Sequence, residues 1–399
     1  MATPKSVAKS TPSPKPASDS KANSGSKRAP VRTPAPVLKT RALNRATLAR
    51  QLLLRRVEMP VLEAIEQVIG LQAQLPNPPY VGLWTRLAGF DKKALTRLIE
   101  KRRVVRSTMM RATQHLVTAR DYLQLRPVLQ PVITRSWRSN WAKKTAGLDA
   151  EELLEAARAL LTTNAHTLTE LQSMLGARWP KHDPHALAYT VQLLLPLVHV
   201  PPRGTWGRGG AVPATLAESW LRRPMSTDAS PEELIVRYLG AFGPASVADV
   251  QMWSGLTGLR TPIEALRSQL RIFRDETGKE LFDVPDGPLP DADTPVRPLF
   301  LPEYDNTLLA HADRTRVVSD ANRKRIWTTN GALASLLVDG VVAGRWKIVR
   351  ERTSAILEIE AFGRLAKIDR AAVAEEGMRL LAFTDGDDVS HDVRWITSA

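Results

Sequence analysis

The 399-residue sequence has no cysteine, only 6% aromatic residues, seven histidines and fewer acidic than basic side chains. Without cysteine there is no disulfide scaffold, thiol nucleophile, iron–sulfur cluster or thiolate zinc site. No apolar run approaches the roughly 18 residues that span a bilayer. The first residues carry lysine without a following apolar stretch, so no secretory signal is expected there and the expected location is the cytoplasm. A chain of this length exceeds one small core and is expected to divide into several modules.

The basic excess is uneven. Lys plus Arg number 56 against 41 Asp plus Glu, a formal charge of +15. Residues 1–40 contribute +7, residues 41–145 contribute +14, and residues 146–399 carry −6. An excess confined to one third of the chain predicts a surface facing a polyanion, with nucleic acid the favoured partner. Residues 1–40 are rich in Ala, Ser, Thr, Pro and Lys, include seven prolines, and lack aromatics. Such a segment buries too little apolar surface to offset its ordering entropy, so a disordered basic tail is expected.

From residue 41 onward one pattern recurs: helices, then a pair of short strands. Leu43, Leu48, Leu52 and Leu53 start it at helical spacing, with Arg45, Arg50, Arg55 and Arg56 between them. A second helix runs from Pro60 to Gly70, a third lies near 80–88 and a fourth near 92–101, before an extended basic stretch at 103–118. Helices are again expected at 151–161, from the capped start at His166-Thr167, and at 184–195. They are followed by a strand at 197–200 and the loop Pro201–Gly210. The third set comprises 231–241, 246–253 and 262–270, with a hairpin around Asp275–Gly278. Leu168–Gln172 echoes Val247–Gln251 at an offset of 79 residues, and Gly176 meets Gly255 at the same offset. We therefore expect a mainly α fold with small β elements, built as winged-helix modules at 41–148, 149–228 and 229–295. Residues 296–399 are expected to form a β-rich cap, in one form a barrel, with a hairpin turning at Asp339-Gly340 and a helix near 370–381.

Familiar catalytic signatures are missing. There is no P-loop, no Gly-x-Gly-x-x-Gly and no His-Glu-x-x-His. His182 and His185 flank Asp183-Pro184, which reads as a helix start, so no metal is implied. Glu303, Asp305, His311 and Asp313 form the densest acid and histidine group, readable as a site or as a polar segment between modules. No lysine stands out as a Schiff-base nucleophile.

Gln72-Ala73-Gln74 is sharper. It follows a helix and precedes Pro76-Asn77-Pro78-Pro79, and both amides could face a groove if the backbone there is irregular. A glutamine is a poor general base, but it can hold a water through its oxygen and donate from its NH2. That suffices where the leaving group is already activated, as in an N7- or N3-alkylated purine, whose positive charge weakens the glycosidic bond.

Four segments in order resemble the bacterial AlkZ/YcaQ-type winged-helix DNA glycosylases: Leu71–Gln74, Arg111–Val117, Val200–Gly207, and Leu301–Asn306 with His311–Arg314. The resemblance runs from about 41 to 390 and leaves out the tail. It implies three tandem winged-helix modules in a C shape with a basic concave face for duplex DNA. It also implies monofunctional excision of alkylated bases and, in some members, unhooking of interstrand crosslinks. The family's catalytic pair maps onto Gln72 and Gln74, in the Gln form of the antibiotic self-resistance branch; Ala73 is small for the middle position. On this reading Arg111, His115, Arg203 and Arg208 contact phosphates and Trp206 sits in a groove near the lesion. The expected partner is damaged double-stranded DNA, bound by a nucleoid-associated monomer without cofactor, metal or membrane. The alternatives are a non-catalytic winged-helix regulator or architectural protein, and a module that docks on an acidic protein.

Overall fold

The computed structural model describes Thr11 and residues 35–328 and 331–397; the expected tail at 1–34 otherwise lies outside the described residues. Residues 36–399 form one compact unit. It starts earlier than the expected boundary at 41. Strand β1 (Val37–Leu38) already pairs in parallel with a strand some 240 positions away, and Thr40 donates from its amide and hydroxyl to Glu276.

Helix α1 (Thr40–Arg50) turns Arg41 outward but not its other two arginines. Arg45 and Arg50 are fully buried and paired with Asp339 and Asp283. A buried guanidinium is tolerated because a bidentate carboxylate and backbone carbonyls satisfy its donors. Arg50 has both, with Asp283, Leu239 and Pro288 as acceptors.

Three times the chain then runs helix, short extended contact, helix, helix, strand, strand. The first set is α2 (Val61–Gln67), β2 (Leu71–Gln72), α3 (Pro78–Arg86), α4 (Lys92–Glu100), β3 (Val104–Thr108) and β4 (Gln114–Thr118), with strand order β2-β4-β3. Helix α5 (Ala119–Asn140) follows. It continues through Pro127 and Pro131, whose breaker signal hides it in the sequence; tertiary packing of Tyr122, Leu125, Leu129 and Ile133 overrides propensity there.

The second set is α6 (Ala150–Thr163), a bridge from His166 to Ala214, α7 (Leu168–Arg178), α8 (Pro184–Leu194), β5 (Leu197–His199) and β6 (Ala214–Leu216), then α9 (Ala217–Leu221). The third is α10 (Glu232–Phe242), a bridge from Ala245 to Phe282, α11 (Val247–Ser254), α12 (Arg260–Ala265), β7 (Arg271–Asp275) and β8 (Glu280–Asp283). Helix α12 is shorter than the periodicity suggests, because a separate 3-10 turn covers Arg267–Gln269. The two echoing segments open α7 and α11. Each begins with a capping box, Thr167 with Glu170 and Ser246 with Asp249, so the echo is a shared N-terminal cap.

The remaining elements are β9 (Leu299–Leu301), α13 (Asn306–Leu309), α14 (Asp320–Ile326), β10 (Trp327–Thr328), β11 (Gly331–Ala332), β12 (Ser335–Val338), β13 (Val341–Arg350), β14 (Ser354–Ala361), α15 (Lys367–Asp385) and β15 (Ser390–Ile396). The main sheet is an open, mixed one with order β15-β14-β13-β12-β9, rather than a closed barrel. Its β12–β13 turn has Asp339 at φ 48° and Gly340 at φ 77°, as a tight hairpin with two left-handed residues requires. Leu380 and Leu381 of α15 pack with Leu357 and Ile359 of the sheet and with Val81 and Trp84 of α3. The C-terminal sheet is thus fastened to the helix that follows Gln72–Gln74.

Candidate active site

The short strand Leu71–Gln72 and the Ala73 that follows it are extended, and their alternation sets the site. Leu71 pairs with Leu116 and Gln72 with His115, and the Ala73 amide continues the ladder to the Gln114 carbonyl at 2.7 Å. Side chains two apart on a strand share a face. Leu71 and Ala73 enter the core, 3% and 1% exposed, so Gln72 and Gln74 project together from the other side. Regular strand covers only Leu71–Gln72, and Gln74 stands in the bend that follows; Gln72 is itself 7% exposed, whereas Gln74 is exposed. The alternation also explains the small middle residue, because Ala73 fills core space against the β4 strand.

Gly70 admits no side chain. At φ +78°, a Cβ there would lie 2.5 Å from Val117 Cγ1 and 2.8 Å from the Leu116 oxygen. Asn306 Nδ2 donates to the Gly70 and Val68 carbonyls at 2.6 and 3.2 Å. Arg106 holds the far end, with Nε on the Ala73 carbonyl at 2.7 Å and Nη2 on the Gln74 carbonyl at 3.0 Å. Neither clamp is predicted above. The signals present are the basic strand holding Arg106 and the Leu301–Asn306 segment, whose polar end has this structural use.

The amides are oriented as well. Arg111 Nη2 donates to Gln72 Oε1 at 2.7 Å, and the Gln114 backbone N–H donates to Gln74 Oε1 at 2.9 Å. Both donors lack acceptor capacity, so they set each amide's orientation: oxygen toward the protein donor, NH2 away from it. Each oxygen keeps a second lone pair. Arg111 sits at φ 54°, in the 3-10 turn Met110–Ala112 between β3 and β4, and its Nη1 donates to the Trp253 carbonyl of α11 at 2.6 Å. Burial pushes the Arg106 and Arg111 guanidiniums down to about 10, with the Arg314 charge adding to the effect on Arg111, so both stay cationic at neutral pH.

His115 is fully buried, so it does not reach a phosphate in this arrangement. Its Nδ1–H donates to the Thr113 carbonyl at 3.0 Å, while Nε2 has no protein partner. Burial, and then the charge of Arg111, lower its pKa to about 3, and it stays neutral behind Gln72. Arg203 and Arg208 are exposed on the loop between β5 and β6. The Arg203 Nη1 donates to the Gly209 carbonyl at 2.7 Å. Trp206 is no free loop tip. It packs edge-on against Tyr80 and Phe383, at 5.5 and 5.7 Å, with Lys92 Nζ 4.7 Å above its ring. The same loop reaches the start of α3, where Gly207 N donates to Asn77 Oδ1 at 2.9 Å.

Two cavities flank the Gln74 end. One, of about 410 Å³, is lined by Gln74, Arg106, Tyr189 and His199 among others. The other, of about 450 Å³, is lined by Trp206, Trp346, Lys347 and Arg350 among others. Leu75 and Pro76 line both, and Leu75 is 47% exposed, an apolar ridge beside the amide pair.

The other polar groups separate. Asp305 is buried in a bidentate pair with Arg86 of α3, at 2.8 and 3.0 Å. His311 Nε2 meets the Phe242 carbonyl at 3.0 Å, and Asp313 accepts from Thr315. Asp305, His311 and Asp313 thus serve as polar joints, whereas Glu303 lines the second cavity. Asp183 caps α8, and His185 stacks near Trp141 and Tyr189. Among the described residues no three His, Asp or Glu groups converge as metal ligands, and no helix is long and apolar enough to cross a membrane.

Comparison with known proteins places this geometry. A curated relative, the interstrand DNA cross-link repair glycosylase of Streptomyces sahachiroi, is 25% identical over 335 residues, covering 76% of this chain and 86% of the relative. The solved structure of Streptomyces sahachiroi DNA glycosylase AlkZ superposes with a TM-score of 0.73 at 20% identity, over 90% of this chain and 100% of that one; it shares the fold. The family described as DNA glycosylase AlkZ-like matches residues 65–383, which include the Gln72–Gln74 segment and its Arg106, Arg111 and Asn306 clamps. The chain belongs to the AlkZ-like family of DNA glycosylases, enzymes that hydrolyse N-glycosyl bonds.

Proposed function

We propose that the protein is a monofunctional glycosylase that excises N7- and N3-alkylated purines from duplex DNA, with Gln72 and Gln74 orienting the attacking water. The observation that carries this reading is the pair of amides on one side of the short strand and the bend after it, each held by a donor on its oxygen. We also read the three repeated sets of elements as winged-helix modules, since each has the helix, strand, two-helix and hairpin order.

Alkylation at N7 or N3 leaves the purine cationic. Its bond to C1′ breaks with the electron pair going to the base, and the sugar develops oxocarbenium character. The remaining lone pairs on the two Oε1 atoms accept hydrogen bonds from a water and face that positive charge. The water oxygen then bonds to C1′ and its proton leaves to solvent, giving free base and an abasic site. With water and not an amine attacking C1′, the strand stays intact. Holding the amides in advance removes their reorganisation from the barrier. Arg203 and Arg208, exposed on the loop beside the ridge, supply phosphate contacts.

The Streptomyces relative is named for crosslink repair. We extend that substrate class to this chain, because cavities on both sides of the Leu75–Pro76 ridge leave space beside the amides for a bulky adduct.

Gln72→Ala and Gln74→Ala should each lose release of N7-methylguanine from a methylated duplex while keeping DNA affinity. Release at the wild-type rate by the double variant would overturn the assignment.

A further inference from the structure

The cations nearest the amide pair are engaged inside the protein. Arg106 holds two carbonyls, and Arg111 bridges Gln72 to α11. The unpaired charge of the basic third of the chain lies elsewhere. At the end of the first sheet where Val104 pairs with Thr118, a groove of about 710 Å³ is lined by Lys101, Arg102, Arg103, Arg120, Arg222 and Arg223. The carboxylate in that lining is Glu66, which pairs with Arg120 at 3.1 Å. The Gln114 end of β4 lies four strand steps away, about 13 Å along the sheet.

The unpaired charge of the groove favours a polyanion. Lys101, Arg103, Arg222 and Arg223 are exposed, and among the described residues none of these four side chains has a hydrogen-bond or ion-pair partner. Four like charges gathered without counter-ions repel one another and are relieved by an external anion. Arg102 and Arg222 hold left-handed backbone at φ 59° and 53°. Arg102 is fixed over the Trp220 ring at 3.9 Å, with Nη1 on the Trp220 carbonyl, and so joins the first and second repeats across the groove floor.

We propose that this groove is a second DNA-binding surface, gripping the phosphodiester backbone of duplex away from the base being excised. It reads charge and carries no base-edge contacts, so it takes undamaged DNA as readily as damaged. It separates grip from chemistry: affinity and salt dependence come largely from this end of the sheet, and base release from the other.

The test is a salt titration of binding to an undamaged, fluorescein-labelled duplex, using the full chain. Each neutralised phosphate contributes about 0.9 to the slope of log K against log salt, so Lys101→Ala, Arg103→Ala, Arg222→Ala and Arg223→Ala combined should lower its magnitude by about 3.6. Arg103→Gln with Arg223→Gln, two exposed and unpaired positions, should lower it by about 1.8 should the fourfold variant fold poorly. Arg103→Lys with Arg223→Lys should keep the wild-type slope. A wild-type slope in both charge-removing variants, shown folded by circular dichroism, would overturn the proposal and point to another anionic partner. This result is independent of the glycosylase reading, which is tested separately by base release from the wild-type chain and the Gln72 and Gln74 variants.

Discussion

Arg111 donates to the amide oxygen of Gln72 at 2.7 Å while its other terminal nitrogen donates to the carbonyl of Trp253. One side chain thus ties a site residue on the first repeat to a helix of the third. A planar guanidinium can do both because its donors diverge at fixed angles; an ammonium presents a single compact centre. Arg111→Lys and Arg111→Ala should therefore both lower single-turnover base release, by about 10- to 100-fold, through misorientation of Gln72. Affinity for lesion DNA should change little. A lysine variant releasing base at the wild-type rate would assign the contact to stability alone.

Removing one partner of a fully buried ion pair leaves an uncompensated charge. Asp305→Ala strands Arg86 at the base of α3, where both side chains are 0% exposed. The expected loss is about 3–5 kcal/mol in urea denaturation, and Asp283→Ala, beside Arg50, should cost as much. Losses below about 1 kcal/mol at both positions would show that water reaches these pairs.

Acid should weaken the fold before carboxylates titrate. Burial holds His115 and His199 at about 3, with the nearby charges of Arg111 and Arg106 adding to the effect. In the unfolded chain both take a proton near pH 6.5. Their contribution to stability is therefore complete above about pH 6.5 and falls as pH drops toward 3. Well below pH 6.5 the two together should give a slope near 3 kcal/mol per pH unit. Urea denaturation between neutral pH and about pH 5 measures it together with the like contribution of buried His311, also held at about 3, so His199→Gln should lower the measured slope by about 1.4 kcal/mol per pH unit.

The N-terminal arm is expected to add salt-dependent affinity without taking part in the chemistry. Because β1 pairs inside the fold, the informative truncation ends at residue 34. It should reduce the magnitude of the salt slope of DNA binding and leave base release intact. Loss of base release would instead place the arm at the site.

Local features of this fold are readable in the sequence. Capping residues at Thr167 and Ser246, Pro184 at a helix start and the Asp339-Gly340 turn act over a few positions, and each marks an element boundary. Gln72 and Gln74 stand out because their spacing and the prolines after them are local too. What holds them is distant: Arg106 and Gln114 lie 32 to 40 positions away, and Asn306 reaches Gly70 across 236. No period or propensity encodes such pairs. The buried Arg45 and Arg50 mislead for the same reason, since arginine on a helix suggests an exposed face until Asp339 and Asp283 arrive from far along the chain. Helix α5 is obscured by its own prolines, which local rules read as breaks.

The parallel pairing of Val37–Leu38 with Arg274–Asp275 bears on how the chain is made. Synthesis runs from the N-terminus, so β1 and the buried arginine of α1 leave the ribosome long before β7 and Asp283 exist. Arg50 must wait in water for a partner 233 residues later. The first repeat can condense around its own core meanwhile, but its N-terminal helix docks only when the third repeat has emerged. Assembly therefore finishes by joining the oldest segment to much newer ones, and a chain stopped before residue 232 would lack the α10 carbonyls and the Asp283 carboxylate that hold that helix's C-terminal end.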